Sequence, residues 1–146
     1  MLQAITDIFE RDLNKLINEI ESYNDDESIW RVKGQIGNSA GNLTLHLIGN
    51  LNHFIGATLG NTGYVRNREN EFLEKNVSRK KLVVDIRDTI AMVKQVLEKL
   101  SDDDLKKDYP HAFNNSISST TFVLIHLLAH LSYHLGQINY HRRLIA

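Results

Sequence analysis

The sequence predicts an all-α fold, a four-helix bundle with long connections between its helices. Three observations support this prediction. Apolar residues recur at three- and four-residue steps in four long segments, which is the spacing of one buried helix face. The chain of 146 residues holds a single proline, Pro110, so little interrupts a helix. No stretch alternates apolar and polar residues for long enough to indicate a sheet.

The four predicted helices have recognisable ends. The first covers about residues 2–23. The second begins near Asn38 or Ser39, either of which can cap it, and it stops at the glycine-rich segment 60–63. The third is capped by Ser78, and the fourth opens among the hydroxyl residues 118–121 and runs to near the C-terminus.

The connections between these helices are long. Residues 29–37 form an irregular connection anchored by Trp30, residues 66–75 a charged exposed turn or short helix, and residues 101–115 a polar connection. A simple up-down bundle needs only about 2–8 residues per connection, so loop length alone leaves the topology open.

Composition restricts the class of protein. A length of 146 residues fits one domain over residues 1–146. The net charge of -1 and the pI of about 6.6 argue against a nucleic-acid partner. The absence of cysteine excludes disulfides, thiolate ligands and a cysteine nucleophile. Without an apolar signal core or a run of ~18 apolar residues, we expect a cytoplasmic protein that does not span a membrane.

Histidines are the most informative residues. His126, His130 and His134 follow one another at four-residue steps, so on a helix they lie along one stripe. Neighbours at this spacing can chelate one ion, but the outer two are ~12 Å apart along the helix axis. The chelating pair is therefore either the first two or the last two of the three. His46 and His53, on the second helix, are both candidates for a third ligand, and the apolar neighbours of His46 indicate that it points inward.

Two amides lie one helical turn from these histidines. Asn50 follows His46 by four residues and could orient that ring or a bound water, or could simply cap an interhelical contact. Gln137 lies one turn after His134 and could support it from behind. We interpret Gly136, which lies between His134 and Gln137, as a position for close helix packing.

Other polar and aromatic residues have weaker functional patterns. Arg66 and Arg68 could bind a substrate carboxylate or phosphate, although a charged surface run favours structural ion pairs. Tyr133 and Tyr140 are interpreted as packing residues. His141 is expected to be solvated at the C-terminal end of its helix, where the helix dipole favours a cation.

At these residues the chain resembles the DinB-like superfamily of small helical metal-binding proteins. One matching segment is the last-helix run His130-x-x-x-His134-Leu-Gly136-Gln137-Ile138. The others are Asn42-Leu-Thr-Leu-His46-Leu-Ile-Gly-Asn50-Leu51 and Arg66-Asn-Arg68-Glu-Asn-Glu71-Phe72, which are similar to a poorly characterised branch of the superfamily. The similarity covers the whole chain.

The resemblance implies a four-helix bundle with a long crossover between helices two and three. It implies one divalent metal ion held by His46, His130 and His134, and it leaves His126 and His53 outside the ligand set. Superfamily members of known activity are thiol S-transferases that use bacillithiol or similar cofactors, and a mycothiol-dependent maleylpyruvate isomerase. The resemblance and the apolar helices together also suggest a homodimer.

Two classes of function follow. The first is a metal-dependent enzyme in which zinc or nickel activates a water or a low-molecular-weight thiol against a small-molecule electrophile. Three imidazoles leave coordination positions open, as catalytic sites do. The second is a non-catalytic helical module that binds metal or serves as a stress-related interaction module. A bound ion with open positions beside a pocket would favour the enzyme, and a solvent-free histidine cluster would favour the module.

Overall fold

The computed structural model describes residues 1–145 and contains helices joined by loops, with no pairing of strands beyond isolated bridges in that part of the chain. The predicted all-α class is confirmed. The helices are α1 Leu2–Glu21, α2 Asp26–Ile29, α3 Ala40–Leu51, α4 Thr58–Gly60, α5 Arg68–Leu73, α6 Arg79–Glu98, α7 Asp102–Lys106 and α8 Thr120–Ile145. A π-helical turn, Asn52–Ala57, joins α3 to α4 within one continuous helix.

Four long helices form the bundle: α1, the continuous helix that α3 begins, α6 and α8. The helix α1 packs against α6 and α8, and α3 packs against the same two, so α1 and α3 face each other across the bundle. The short helices α2, α5 and α7 lie in the three long connections. The predicted four-helix arrangement is therefore present, with connections that carry structure of their own.

The direction of the second and third long helices explains the longest connection. Asn52 donates to Thr89, and a Cβ placed at Gly60 would meet Val96, so the contacts advance together along both helices. The two helices are therefore parallel, and residues 61–78 must return along the length of the bundle to join them. The predicted crossover between helices two and three is confirmed.

Local sequence signals set the ends of these helices. The Ser39 hydroxyl accepts a hydrogen bond from the backbone of Asn42, and Ser78 caps α6 in the same way. At the end of α4, Asn61 adopts a left-handed conformation with φ 50°, which terminates the helix. Trp30 is buried and donates its indole N–H to the Val77 carbonyl at 3.1 Å, as expected of an anchor.

The core is a single cluster that draws on all four long helices. Its fully buried large side chains are Phe9, Leu13, Leu16, Ile20, Ile29, Leu47, Leu51, Ile55, Leu82, Ile86, Leu97 and Leu105. Truncating one such leucine to alanine costs roughly 2–5 kcal/mol in comparable cores. Each helix among residues 1–145 is too short or too polar to traverse a lipid bilayer.

The π-helical turn is a local feature that the apolar periodicity did not predict. A widened turn leaves backbone carbonyls to be satisfied, and here Tyr109 donates to the Phe54 carbonyl at 2.6 Å. The Thr58 hydroxyl donates to the His53 carbonyl at 3.1 Å. Such turns occur frequently at functional sites, and this one lies directly after the segment of α3 that carries His46.

Candidate metal centre

Three histidines from two long helices converge on one point. His46 lies in the middle of α3, and His130 and His134 lie one turn apart on α8. The His130 Nε2 atom lies 3.1 Å from the Nε2 atom of His46 and 3.1 Å from that of His134. One ring nitrogen from each residue lies within 4.8 Å of those of the other two.

The neighbours of two rings fix where their protons reside. The His46 Nδ1 atom lies 3.0 Å from a Glu71 carboxylate oxygen, which can only accept, so this nitrogen carries the proton. The His134 Nδ1 atom lies 2.7 Å from the Gln137 Oε1 atom and donates to it. In its neutral form, each of these rings directs an unprotonated Nε2 atom at His130.

This donor set fits a divalent cation. At least two nitrogen lone pairs face the Nε2 atom of His130, whose single position can supply at most one proton. Nitrogens that share a tetrahedral ion at about 2.0–2.1 Å lie roughly 3.3–3.4 Å apart, close to the two 3.1 Å separations that the His130 Nε2 atom makes. The three histidines are thus a group that could hold one metal ion.

Burial and neighbouring groups lower the pKa values of two of the three histidines. Burial, with the nearby rings of His134 and His46, lowers the pKa of His130 to about 4. Burial also lowers the pKa of His134, against the opposing hydrogen bond to Gln137. Both imidazoles are therefore neutral near pH 7, which is the form that binds a metal ion.

Glu71 is the site residue that the sequence did not single out. It lies on α5 in the crossover, and it is buried against His46. Burial raises the pKa of Glu71, but hydrogen bonds from His46 and Arg66 and the charge of Arg66 hold that pKa below its ordinary value. The carboxylate is therefore ionised. It accepts the Nδ1 proton of His46 and so fixes the ring orientation, as carboxylates do for metal-binding histidines in other proteins.

Two further residues place Glu71. Arg66 binds the carboxylate with both nitrogens of its fork, at 2.9 Å and 2.9 Å, in a largely buried ion pair. A Cβ added at Gly49 would overlap the carboxylate oxygen of Glu71, so the glycine leaves the space that the carboxylate fills. Because His46 and Glu71 are 25 residues apart in the sequence, no local motif indicated this contact.

The remaining predicted residues lie near the centre without joining it. Asn50 is buried one turn from His46, and its Oδ1 atom has no partner among residues 1–145. Arg66 serves Glu71, as the ion-pair interpretation expected. Arg68 is exposed, and its guanidinium lies 5.6 Å over the ring of Phe72, which packs against His46.

The other histidines of the two helices lie outside the group. His126 packs edge-on against Phe113 with ring centroids 4.9 Å apart. His53 lies in the π-helical turn and packs against Phe54 at 4.7 Å. Between the alternatives that spacing left open, the geometry brings His46 together with His130 and His134.

The expectation for His141 was wrong. It is 3% exposed rather than solvated. Its Nδ1 atom lies 2.6 Å from the Tyr23 hydroxyl, and its Nε2 atom lies 2.7 Å from the Arg31 carbonyl. Burial lowers the pKa of His141, so the neutral ring ties α8 to the end of α1 and to the loop after α2.

Three residues interpreted as packing positions lie on the outer face of α8 and do not pack into the bundle formed by residues 1–145. Tyr133 and Tyr140 are 66% and 62% exposed, so they do not pack into the bundle of this chain. A Cβ at Gly136 would meet nothing within 4 Å, so no neighbouring helix approaches there. An apolar or small residue on α8 did not distinguish an inner from an outer position because this helix is apolar on both sides.

A cavity of about 370 Å³ adjoins the centre. It lies between the loop 35–38, α3 and α8, and His134 and Gln137 form part of its wall. The other lining residues are Gln35, Ile36, Gly37, Asn38, Leu43, Tyr140, His141 and Leu144. None of these side chains carries a full charge at neutral pH.

The family model described as "Protein of unknown function (DUF1572)" matches residues 1–146. The chain belongs to this family. DUF1572 is a DinB-like family, so the resemblance to that superfamily is confirmed at the level of family and fold. No curated protein sequence matches the chain.

Two solved structures share the DUF1572 fold seen here. A conserved protein from Enterococcus faecalis is 15% identical, with a TM-score of 0.77, and the match covers 99% of this chain and 96% of that one. A DinB-like protein from Bacillus cereus ATCC 10987 is 16% identical, with a TM-score of 0.71, over 90% of this chain and 84% of that one. At these identities the similarity establishes the fold alone.

Proposed function

We propose that this chain is a metal-dependent enzyme in which a water or a low-molecular-weight thiol attacks a small-molecule electrophile. The observation that carries the proposal is the convergence of three Nε2 atoms at the junction of α3 and α8. Within residues 1–145, no fourth histidine or carboxylate joins the group. A three-ligand site is the pattern of catalytic rather than structural metal centres.

The ligand set favours zinc or nickel, since imidazole nitrogens suit both ions. Such an ion, when bound by His46, His130 and His134, supplies a Lewis acid that lowers the pKa of a water or a thiol. The chain's own residues do the positioning. Glu71 holds the His46 ring, and Gln137 holds the His134 ring, each through the Nδ1 proton.

The residues that line the cavity beside His134 indicate which kind of substrate it would bind. Leu43 and Tyr140 offer apolar surface, and Gln35 and Asn38 offer amide hydrogen-bonding groups. A substrate carboxylate or phosphate would find no basic side chain in this wall. We therefore assign the cavity to an uncharged small molecule with an apolar body, of a size that about 370 Å³ can hold.

A homodimer is also part of the proposal, and the outer face of α8 supports it. Seven positions of α8 lie within roughly 100° of one another around the helix, and all are exposed and uncharged. This α8 stripe consists of Phe122, Ile125, Ala129, Tyr133, Gly136, Tyr140 and Leu144. Its centre is at Tyr133, with bulky apolar groups toward both ends, so two antiparallel copies would complement each other.

The area of the α8 stripe suits a second copy of this chain. Its three aromatic and two aliphatic side chains would bury on the order of 500 Å² per copy. Two copies would reach the roughly 1,000 Å² that a specific interface needs. Tyr140 and Leu144 also line the cavity, so a partner copy would close its open side. Light scattering should give twice the 16.7 kDa chain mass, and Tyr133→Asp should return the monomer.

The enzyme proposal is tested by supplying zinc or nickel to protein purified without a metal-affinity column. The panel joins thiols to electrophilic acceptors and includes neutral esters and amides beside matched acidic analogues. Turnover should require the metal, disappear in His130→Ala and survive in His126→Ala. Turnover that persists without metal would reject the proposal. Stoichiometric metal binding with no turnover across the panel would instead favour the non-catalytic module.

The cytoplasmic location stays a prediction from the sequence.

A further inference from the structure

Two of the three converging histidines have a hydrogen-bond acceptor at the Nδ1 atom, and the third does not. Glu71 accepts the Nδ1 proton of His46, and Gln137 accepts that of His134. The corresponding atom of His130 is buried and has no hydrogen-bond partner among residues 1–145. Buried polar atoms of this kind are uncommon in folded proteins, so the exception calls for a physical reason.

The other buried side-chain atom without a partner in the described chain lies in the same part of the bundle. It is the Oδ1 atom of Asn50, a residue that is 7% exposed. One atom is a nitrogen that can carry a proton, and the other is an oxygen that can only accept one. The two orphaned atoms therefore have complementary chemistry.

The packing of α3 on α8 brackets Asn50 at the level of His130. One turn before Asn50, His46 contacts His130 through its Nε2 atom. One turn after Asn50, Phe54 packs on Phe113, which in turn packs on His126. Because α3 and α8 run in opposite directions, Asn50 lies beside the turn of α8 between His126 and His130.

We propose that Asn50 is the positioning residue of His130 and accepts its Nδ1 proton, directly or through one bound water. The inference rests on the proposed metal centre. An ion bound at the Nε2 atom of His130 forces the proton of the neutral ring onto Nδ1. That proton then needs an acceptor in a buried environment, and the Asn50 Oδ1 atom supplies it.

This assignment gives each ligand its own acceptor from a different element of the fold. His46 is held by Glu71 of α5, His134 by Gln137 of α8, and His130 by Asn50 of α3. The three acceptors together fix three ring orientations, so the Nε2 atoms stay directed at one point. The Asn50 side chain does not touch the reacting groups and acts only through His130.

The first test is direct and uses the unmodified chain. Long-range proton–nitrogen NMR on the zinc-loaded protein should show the His130 ring protonated at Nδ1, with that proton protected from exchange with water. An unprotonated Nδ1, or an Nδ1 proton that exchanges as fast as one on a solvated ring, would overturn the assignment. This measurement does not depend on any variant folding.

The second test measures zinc affinity by competition with a chromophoric chelator. Asn50→Leu keeps the approximate volume and removes the acceptor, so affinity should fall about tenfold, the lower end of the usual range for such partners. Asn50→Asp restores an acceptor and should recover affinity to within about threefold of wild type on the same grounds. Asn52→Leu is the matched control, because the Asn52 amide bonds Ile48 and Thr89 instead, and it should leave affinity unchanged.

The outcomes separate this inference from the function on which it rests. Wild-type protein that binds one zinc ion, with Asn50→Leu binding equally well, would overturn only the role of Asn50. Wild-type protein that takes up no zinc would overturn the metal centre and this inference together. Loss of affinity in Asn50→Leu with recovery in Asn50→Asp supports the assignment, because a merely structural side chain would not distinguish the two.

Discussion

The last helix carries two histidine sites that differ in the partners of their ring nitrogens. One turn of α8 places His130 and His134 beside His46, with ring nitrogens directed at one another. About two turns further on, His141 is equally part of the interior, but both of its nitrogens have ordinary partners in Tyr23 and Arg31. In the first site, ring nitrogens face one another with at most one proton between them. In the second site, each ring nitrogen has a hydrogen-bond partner from the protein.

The difference shows that partners, more than spacing, distinguish a ligand from a structural histidine. A histidine whose two nitrogens both meet protein groups can contribute to stability without any ion. A histidine held through Nδ1, with Nε2 facing other nitrogens, is arranged as a metal ligand. The predictions below test whether the two sites separate metal binding from stability in this way.

The largest expected effect is on metal affinity. His130→Ala removes the ring that lies between the other two, so zinc affinity should fall by at least about 100-fold. His141→Ala should leave affinity within about threefold of wild type, since the partners behind the three ligands are untouched. Isothermal titration of both variants beside wild type measures the contrast. Equal losses in the two variants would show that the sites are not distinct.

The next effect is on stability and runs in the opposite direction. His141→Ala leaves the Arg31 carbonyl without its side-chain partner and leaves the Tyr23 hydroxyl with only its longer contact to the Ile138 carbonyl, so the free energy of unfolding should fall by about 2 kcal/mol in metal-free protein. His111→Ala, at an exposed position, is the control and should change it by less than about 0.5 kcal/mol. Urea unfolding measures both. A His141 variant as stable as the control would contradict the structural role.

A smaller effect is expected from the carboxylate behind His46. Glu71→Gln removes the charge that aligns the ring, and zinc affinity should fall about tenfold. Glu74→Gln, the same substitution at an exposed position just after α5, should not change affinity. Gly49→Ala should act like Glu71→Gln, because the new methyl group would displace the carboxylate. Unchanged affinity in both site variants would remove Glu71 from the centre.

The smallest effect is a pH dependence at His141. Burial lowers the pKa of His141 in the folded chain, so below pH ~6.5 the unfolded chain takes up a proton that the folded chain does not. Folding at this site is therefore disfavoured as pH falls. The stability advantage of wild type over His141→Gln should narrow as pH falls from 7.5 to 5. An advantage that stays constant or widens would contradict the assigned neutral state.

Much of the fold followed from local signals in the sequence. The apolar stripes, the caps Ser39 and Ser78 and the stop near Asn61 act within one or two turns, so a single helix can be predicted without its neighbours. The crossover needed the family resemblance, because loop length does not determine helix direction. The π-helical turn has no periodic signal and was not predicted.

The candidate site was predictable only where its residues share a helix. The step from His130 to His134 is visible in the sequence, and the resemblance supplied His46. Glu71 reaches His46 across a crossover, so its contact depends on tertiary packing. The apolar character of α8 on both sides hid the burial of His141 and the exposure of Tyr133, since periodicity gives a face only when the opposite face is polar.

The central claim is that His46, His130 and His134 together hold one divalent ion with coordination positions open. X-ray absorption spectroscopy on protein loaded with one equivalent of zinc tests it most directly. The account predicts one ion per chain, with three imidazole nitrogens at about 2.0–2.1 Å and at least one further light-atom ligand from solvent. A shell with fewer than three imidazoles, or an unchanged spectrum in His130→Ala, would contradict it.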